Sequence, residues 1–106
     1  MTARAVVAVV VAVAAAACSE SPGPGGTARE RGRQVYLSQC TSCHALDPSQ
    51  PGPVGPEIKG SSRELLEARM LRGAYPQGYK PKRPTAVMPP QPQAAGDIAA
   101  LAEYLR

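Results

Sequence analysis

The chain contains no Phe and no Trp, and it has only one His and three Cys in 106 residues. Between residues 27 and 106 only 14 side chains are Val, Ile, Leu or Met. A segment of that length with so few large apolar side chains is expected to need a disulfide, a metal or a cofactor to fold. Three Cys cannot form a network of disulfides. The shortage therefore favours a large apolar group that completes the core.

The chain also lacks a strong excess of one charge. Its formal net charge is +4, and removal of residues 1–17 would leave 11 Lys and Arg against 8 Asp and Glu. The basic side chains are scattered, apart from one local cluster at Lys80, Lys82 and Arg83. Nucleic-acid binding rests on many basic contacts with phosphates, so this balance predicts no nucleic-acid partner.

The first 17 residues differ in composition from the rest of the chain. Residues 1–4 carry one positive charge, and residues 5–17 are an unbroken run of 13 Ala and Val residues. Such a run is too short to span a bilayer comfortably and fits the apolar region of a secretory signal peptide. A transmembrane or buried helix is the alternative. We therefore expect residues 1–17 to be a signal peptide and the protein to be exported.

The apolar run ends at Ala15-Ala16-Ala17-Cys18, which resembles a bacterial lipoprotein signal. The resemblance implies cleavage before Cys18 and lipidation of that Cys, which would anchor the protein to a membrane on the periplasmic side. The alternative is ordinary cleavage near the same place, which would leave a lone thiol in an oxidising compartment. Residues 18–26 are rich in Ser, Pro and Gly, and we interpret them as a flexible tether.

Two capping boxes predict helices in the remaining segment, residues 27–106. Thr27 with Glu30 predicts a helix that runs to about residue 39. Ser61 with Glu64 predicts a second helix, which should end at Gly73 because Gly readily adopts the left-handed conformation after a helix.

The last helix is predicted over about residues 95–106 from an apolar stripe at helical spacing, formed by Ile98, Leu101, Ala102 and Leu105. Two connectors are rich in proline, with four Pro in residues 47–56 and six in residues 75–92. Proline removes backbone donors and resists regular structure. The expected fold class is therefore all-α, with three to four short helices, stiff loops and no sheet.

The chemistry-bearing motif is Cys40-Thr41-Ser42-Cys43-His44, which has the C-x-x-C-H pattern of covalent haem attachment. Each Cys can add to one haem vinyl group, and two intervening residues let one helical turn present both sulfurs to the same ring edge. His44 follows directly and can ligate the iron. A structural zinc site would need further Cys or His ligands, and a thioredoxin-like dithiol would sit in a βαβ unit, for which the sequence shows no pattern.

Two methionines are candidates for the second axial position on the iron. Met70 lies on the apolar side of the second predicted helix beside Leu66 and Leu71, so we interpret it as core packing. Met88 lies in a loop bounded by prolines, where a stiff backbone suits a preset ligand. We therefore expect Met88 to ligate the iron; the alternative is that it packs on the haem without bonding.

Along residues 27–106 the sequence resembles class I cytochrome c of the short bacterial kind. Gly32 and Tyr36 match a Gly and an aromatic residue of that family's first helix, and Leu101 and Tyr104 match a Leu and an aromatic residue of its last helix. The resemblance implies that these four residues form the crossing of the two terminal helices, and that Gly32 permits close backbone approach there.

The family's G-P-x-L-x-G segment is matched by residues 55–60. The resemblance implies that the Pro56 carbonyl accepts a hydrogen bond from Nδ1 of His44 and that Ile58 packs on the haem. Met88 followed by Pro also matches the family's ligand.

The family often holds a haem propionate with a Trp, which this chain lacks. Tyr75 or Tyr79 could donate to the propionate instead, as could Lys80 or Arg83. The two Tyr could equally do no more than cover the haem edge.

Together these features predict a single-electron carrier rather than an enzyme, with one covalent haem c on Cys40, Cys43 and His44. Two alternatives stay open: a haem enzyme or gas sensor with an open sixth coordination site, and a fixed subunit of a respiratory complex. We expect a monomer whose partners are redox proteins and whose membrane contact is the anchor at Cys18. Lys80, Lys82 and Arg83 could steer a partner with an acidic docking face, or they could equally form a solvated basic loop.

Overall fold

The computed structural model describes residues 27–106 apart from Ala86. The predicted signal peptide, Cys18 and the predicted tether lie outside the described residues. The elements are α1 (Thr27–Gln39), α2 (Arg63–Arg72), a 3-10 helix (Pro92–Asp97) and α3 (Ile98–Tyr104). All regular elements in this part of the chain are helical, which confirms the all-α prediction.

Helix α1 packs mainly against α3, and the glycine on α1 permits their close approach. A Cβ at Gly32 would lie 2.6 Å from the carbonyl carbon of Ala100 and 2.9 Å from Cβ of Tyr104. The Tyr36 and Tyr104 rings meet at the same crossing with centroids 5.5 Å apart. The terminal helices therefore cross at the residues that the resemblance implied.

The core is small and centred on this crossing. Tyr36, Leu101 and Leu105 are its largest fully buried side chains, and burial of one Leu contributes about 1.5–3 kcal/mol. The Tyr36 hydroxyl donates to the Ala45 carbonyl, so it ties α1 to the turn that follows the C-x-x-C-H motif. Burial raises the pKa of Tyr36 to about 12, which keeps this donor protonated.

Helix α2 begins one residue later than the capping box predicted. Its N-cap is Ser62, whose hydroxyl accepts from the Leu65 N–H at 3.1 Å. The Ser61 hydroxyl donates to the Ile58 carbonyl at 2.6 Å, so it is engaged in the preceding turn. The end of the helix follows the prediction, because Gly73 adopts the left-handed conformation with φ 61°.

The two terminal helices also differ from the predictions at their N-termini. Thr27 already lies within α1, so it is not the N-cap that the capping box predicted. The last helix begins with a 3-10 segment at Pro92, and the α-helical part starts only at Ile98. Proline is tolerated at a first helical position because that N–H needs no helical partner, and no side chain caps this end.

Candidate haem-binding site

The C-x-x-C-H motif continues α1 by one further helical turn. The Cys40 N–H donates to the Tyr36 carbonyl and the His44 N–H to the Cys40 carbonyl, each at 2.9 Å, with the four-residue spacing of an α-helix. The Thr41 hydroxyl donates to the Leu37 carbonyl at 2.8 Å and reinforces the turn. The motif is therefore presented on a helical turn, as its spacing predicted.

Both motif cysteines are half-buried and line one cleft. Burial raises the pKa of the Cys40 thiol to about 11, so Cys40 is protonated at neutral pH in this fold. A dithiol redox centre depends on a thiol whose pKa is lowered. The environment of Cys40 acts in the opposite direction and does not support the thioredoxin-like alternative.

His44 is held by the loop that follows the motif. The residue is 7% exposed, and Nδ1 lies 2.8 Å from the Pro56 carbonyl oxygen. Because a carbonyl can only accept, Nδ1 carries the proton and Nε2 keeps its lone pair. Nε2 has no hydrogen-bond partner among the residues that the structure describes. His44 therefore offers the nitrogen that an iron ligand needs.

The loop before Pro56 folds back on the motif through backbone hydrogen bonds. The Val54 and Gly55 N–H groups both donate to the Cys43 carbonyl, at 3.2 and 2.8 Å. Gly55 then lies so close to the imidazole that a Cβ there would be 2.6 Å from Nδ1 of His44. The missing side chain at Gly55 thus makes room for the ring, and the hydrogen bond to Pro56 fixes its orientation.

The cleft encloses a volume of about 280 Å³. It brings together the residues that the sequence singled out from three separate segments: Cys40, Cys43, His44, Pro56, Ile58, Tyr75, Tyr79 and Met88. Its surroundings are mostly apolar, and Ile58 and Met88 are half-buried against the core. A planar apolar group bonded to two thiols and one imidazole fits this set of donors.

The two methionines occupy different positions around the cleft. Met70 is 3% exposed and belongs to the buried core, and it also lines the cleft, so its interpretation as a packing residue stays a prediction. Met88 is half-buried, and its side chain lines the cleft. Ligation of the iron by Met88 stays a prediction. Leu71, which was expected beside Met70 on the apolar side, is 42% exposed.

A match to a known protein family agrees with this geometry. The family described as cytochrome C oxidase, cbb3-type, subunit III matches residues 27–105. The chain belongs to this family. No curated protein and no solved structure matched the chain.

Membership of a cytochrome c family means that the chain is a c-type cytochrome with covalently bound haem c and its iron. Haem-based electron transfer is the activity of such domains in general, and their haem is attached outside the cytoplasm. The shortage of large apolar side chains noted in the sequence is thereby explained, because the haem supplies the apolar bulk that the side chains do not.

No group of three or more His, Cys, Asp or Glu side chains in the described part of the cytochrome is placed to hold a metal ion. Within the same residues no helix is both long and apolar enough to cross a bilayer.

The cleft of the cytochrome also contains a buried charged side chain that sequence reasoning missed. Arg69 of α2 is only 8% exposed, lines the cleft and lies over the Tyr75 ring, 4.4 Å from its centroid. Tyr75 in turn stacks on Tyr79 with ring centroids 5.4 Å apart. The only sequence signal was a charged residue between Leu66 and Met70, on the side of the helix that faces the core.

The predicted basic cluster contacts the loop beside His44. Lys82 donates to the Glu57 carbonyl at 2.8 Å, and Arg83 donates to the carbonyls of Val54 and Gly52 at 2.7 and 3.1 Å. These two cations therefore connect the segment that precedes Met88 to the loop that holds His44.

Proposed function

We propose that this cytochrome is a single-electron carrier in which His44 and Met88 are the two axial ligands of the haem iron. The observation that carries the proposal is the cleft, which is lined by both attachment cysteines, by an imidazole with its Nδ1 already engaged, and by the Met88 side chain. This set offers Nε2 of His44 and the thioether of Met88 as donors to iron; Met70 also lines the cleft but is part of the buried core.

The haem, when bound, supplies a one-electron couple between ferric and ferrous iron. The residues of the chain keep the surroundings of that couple unchanged in both states. The Pro56 carbonyl holds the His44 ring and makes it a better donor, and a Met opposite a His raises the reduction potential. The apolar lining disfavours extra charge on the iron, and it therefore also favours the ferrous state.

The test is the near-infrared absorption spectrum of the oxidised holoprotein, produced with a cytochrome c maturation system. We expect a weak sulfur-to-iron band that disappears in Met88→Ala and persists in Met70→Leu, the matched control. A band that is lost in Met70→Leu and kept in Met88→Ala would assign the ligand to Met70 instead.

A haem enzyme or gas sensor would need an open coordination site. That function predicts a wild-type protein without the sulfur band and with rapid binding of carbon monoxide after reduction. Slow or absent binding in the wild type, together with fast binding in Met88→Ala, would support the electron carrier.

The edge of the cleft has the features of a small, transient docking surface for another redox protein. Two apolar side chains that line the cleft, Val54 and Val87, are 44% and 61% exposed, and the basic cluster lies in the same region.

Because Lys82 and Arg83 also hold the loop beside His44, reversing their charges would disturb more than docking. Lys80 is exposed, so Lys80→Glu is the cleaner test. At low salt it should slow reduction by an acidic partner protein, and unchanged rates would count against steering by this cluster.

The printed description of the matching family gives a second candidate function, a fixed subunit of an oxidase. A fixed subunit would copurify with other membrane proteins in stable proportion after mild detergent extraction. A carrier would instead be recovered alone, as a monomer, and would reduce or oxidise its partners in repeated encounters.

The proposed location is the periplasmic side of a membrane, with a lipid anchor on Cys18. The support is the sequence of the apolar run and the Cys that ends it. Mass spectrometry of the mature protein should show an acylated Cys18, and Cys18→Ser should move the protein from the membrane fraction to the soluble fraction. A mature wild-type protein that is already soluble would overturn the anchor.

A further inference from the structure

The segment that carries Met88 is fixed to the end of α2 at several points. Met88 is followed by two prolines, which have no N–H, so Gln91 has the first backbone donor after Met88. That N–H donates to the Met70 carbonyl at 2.6 Å. Pro90 lies against Gly73, where a Cβ would be 3.4 Å from Cγ of Pro90. The stretch from Met88 to Gln91 therefore lies along the C-terminal turn of α2.

The carbonyl of Met88 itself is bonded to a side chain of the same helix. Arg69 donates through one terminal nitrogen to the Gly73 carbonyl at 2.9 Å and through the other to the Met88 carbonyl at 3.2 Å. The guanidinium is planar and presents its donors in a fixed fork. One buried side chain thus bridges the end of α2 and the backbone of the residue proposed as ligand.

We propose that Arg69 is a positioning residue that holds Met88 at the iron, an inference that rests on the proposed His44 and Met88 ligation. Arg69 is held in turn by its burial and by its stacking on Tyr75. Its own hydrogen bonds restrain the carbonyl of Met88, and the bond from Gln91 to Met70 restrains the other end of the short proline segment. Loss of the fork should therefore make the thioether easier to displace from the iron.

The test measures the rate at which cyanide binds to the oxidised holoprotein, with the near-infrared band as a second readout. Arg69→Lys keeps the positive charge but replaces the two terminal nitrogens of a rigid planar fork by one ammonium on a flexible chain, and Arg69→Gln removes both the charge and the fork. We expect each variant to bind cyanide roughly tenfold faster than wild type or more, since a hydrogen bond from a charged group is lost, and to show a weaker sulfur band. Arg72→Lys, an exposed position on the same helix, is the matched control and should behave as wild type.

Combination with Met88→Ala separates positioning from a general loosening of the cleft. If Arg69 acts through Met88, then Arg69→Lys should leave the already fast cyanide binding of Met88→Ala unchanged. An equal acceleration in both backgrounds, or an Arg69→Lys protein identical to wild type, would overturn the proposal. A wild-type protein that lacks the sulfur band and binds cyanide as fast as Met88→Ala would instead overturn the ligation on which the proposal rests. Arg69→Lys alone decides the matter if Arg69→Gln does not accumulate as holoprotein.

Discussion

The cleft has two walls that are built in different ways. The His44 wall, residues 40–58, is held by backbone hydrogen bonds between residues close in sequence, such as those from Val54 and Gly55 to the Cys43 carbonyl. The Met88 wall, residues 75–91 without Ala86, is held largely by side chains that reach distant carbonyls. Arg69 bonds to Met88 across 19 positions and Arg83 to Gly52 across 31.

This difference follows from composition. Glycine and a helical turn let the His44 wall fold on itself, so its geometry is local. The Met88 wall contains five prolines before Gln91, which reduce its backbone donors. Long basic side chains make its contacts instead: Arg69 donates to the Met88 carbonyl, and Lys82 and Arg83 donate to carbonyls of the His44 wall. Local backbone structure thus orients the imidazole, whereas buried and half-buried cations position the segment that carries the thioether. We therefore expect substitutions in the two walls to affect haem loading, stability and ligand binding to different extents.

The largest effect should come from a methyl group added to the His44 wall. In Gly55→Ala the new Cβ would collide with the His44 ring, lying 2.6 Å from Nδ1, so the ring and its bond to Pro56 must move. We expect the yield of haem-loaded protein to fall severely, measured by haem stain after periplasmic expression. Gly96→Ala is the matched control, because a Cβ at Gly96 meets no atom within 4 Å. A normal yield from Gly55→Ala would show that the ring has more freedom than this packing allows.

A smaller but still large effect is expected where α1, which leads into the His44 wall, crosses α3. Ala in place of Gly32 would gain about 1 kcal/mol of helix propensity, but its Cβ would press on the backbone of Ala100, which cannot rotate away. Overpacking of this kind costs roughly 1–3 kcal/mol and occasionally more, so we expect a net loss of stability. Denaturant unfolding of the holoprotein measures it, with Gly96→Ala again as control. A Gly32→Ala protein as stable as Gly96→Ala would mean that the helices can separate at little cost.

The connection between the two walls should respond more weakly. Arg83→Gln removes the fork that donates to the carbonyls of Val54 and Gly52. A typical hydrogen bond contributes about 1 kcal/mol, so we expect a loss of that order in the unfolding free energy and a modest acceleration of cyanide binding. Lys80→Gln changes an exposed charge nearby and is the control. If both variants behave alike, the walls do not depend on this bridge.

The smallest effect concerns the ion pair that ties α1 to the 3-10 helix after the Met88 wall. The hydrogen bond from Arg31, at 3.0 Å, lowers the pKa of Asp97 below its ordinary value. A lowered folded-state pKa stabilises the fold above the unfolded pKa of Asp, about 3.9, and this contribution is lost as the pH falls through the folded value. Asp97→Asn should therefore flatten the acid end of the stability profile slightly.

Thermal unfolding of the holoprotein between neutral and acid pH checks this expectation. Because Arg31 is exposed and Asp97 is only half-buried, salt should weaken the effect. Arg31→Gln should flatten the profile in the same way as Asp97→Asn, since either change removes the pair. An Arg31→Gln protein with the full wild-type acid slope would assign that slope to other carboxylates, such as Asp47, whose pKa is lowered by hydrogen bonds from Ser49.

Much of the fold followed from local signals in the sequence. The left-handed residue after α2, the Gly at the helix crossing and the helical turn through the motif were all predicted and are all present. The N-cap of α2 was placed one residue early because Ser61 and Ser62 are equally suitable by type. Only their surroundings distinguish them, since the hydroxyl of Ser61 meets the Ile58 carbonyl.

The sequence by itself determined the haem attachment, since a five-residue pattern on one helical turn holds two sulfurs and an imidazole and needs no distant residue. It also determined the all-α class, because proline-rich connectors leave few donors for a sheet. Only the tertiary structure decided which side chains hold the Met88 wall. Arg69, Lys82 and Arg83 could each have been a solvated surface charge. Each of their hydrogen bonds joins residues 19 to 31 positions apart in the sequence. Which carbonyls lie within reach is therefore decided only when the helices have packed together.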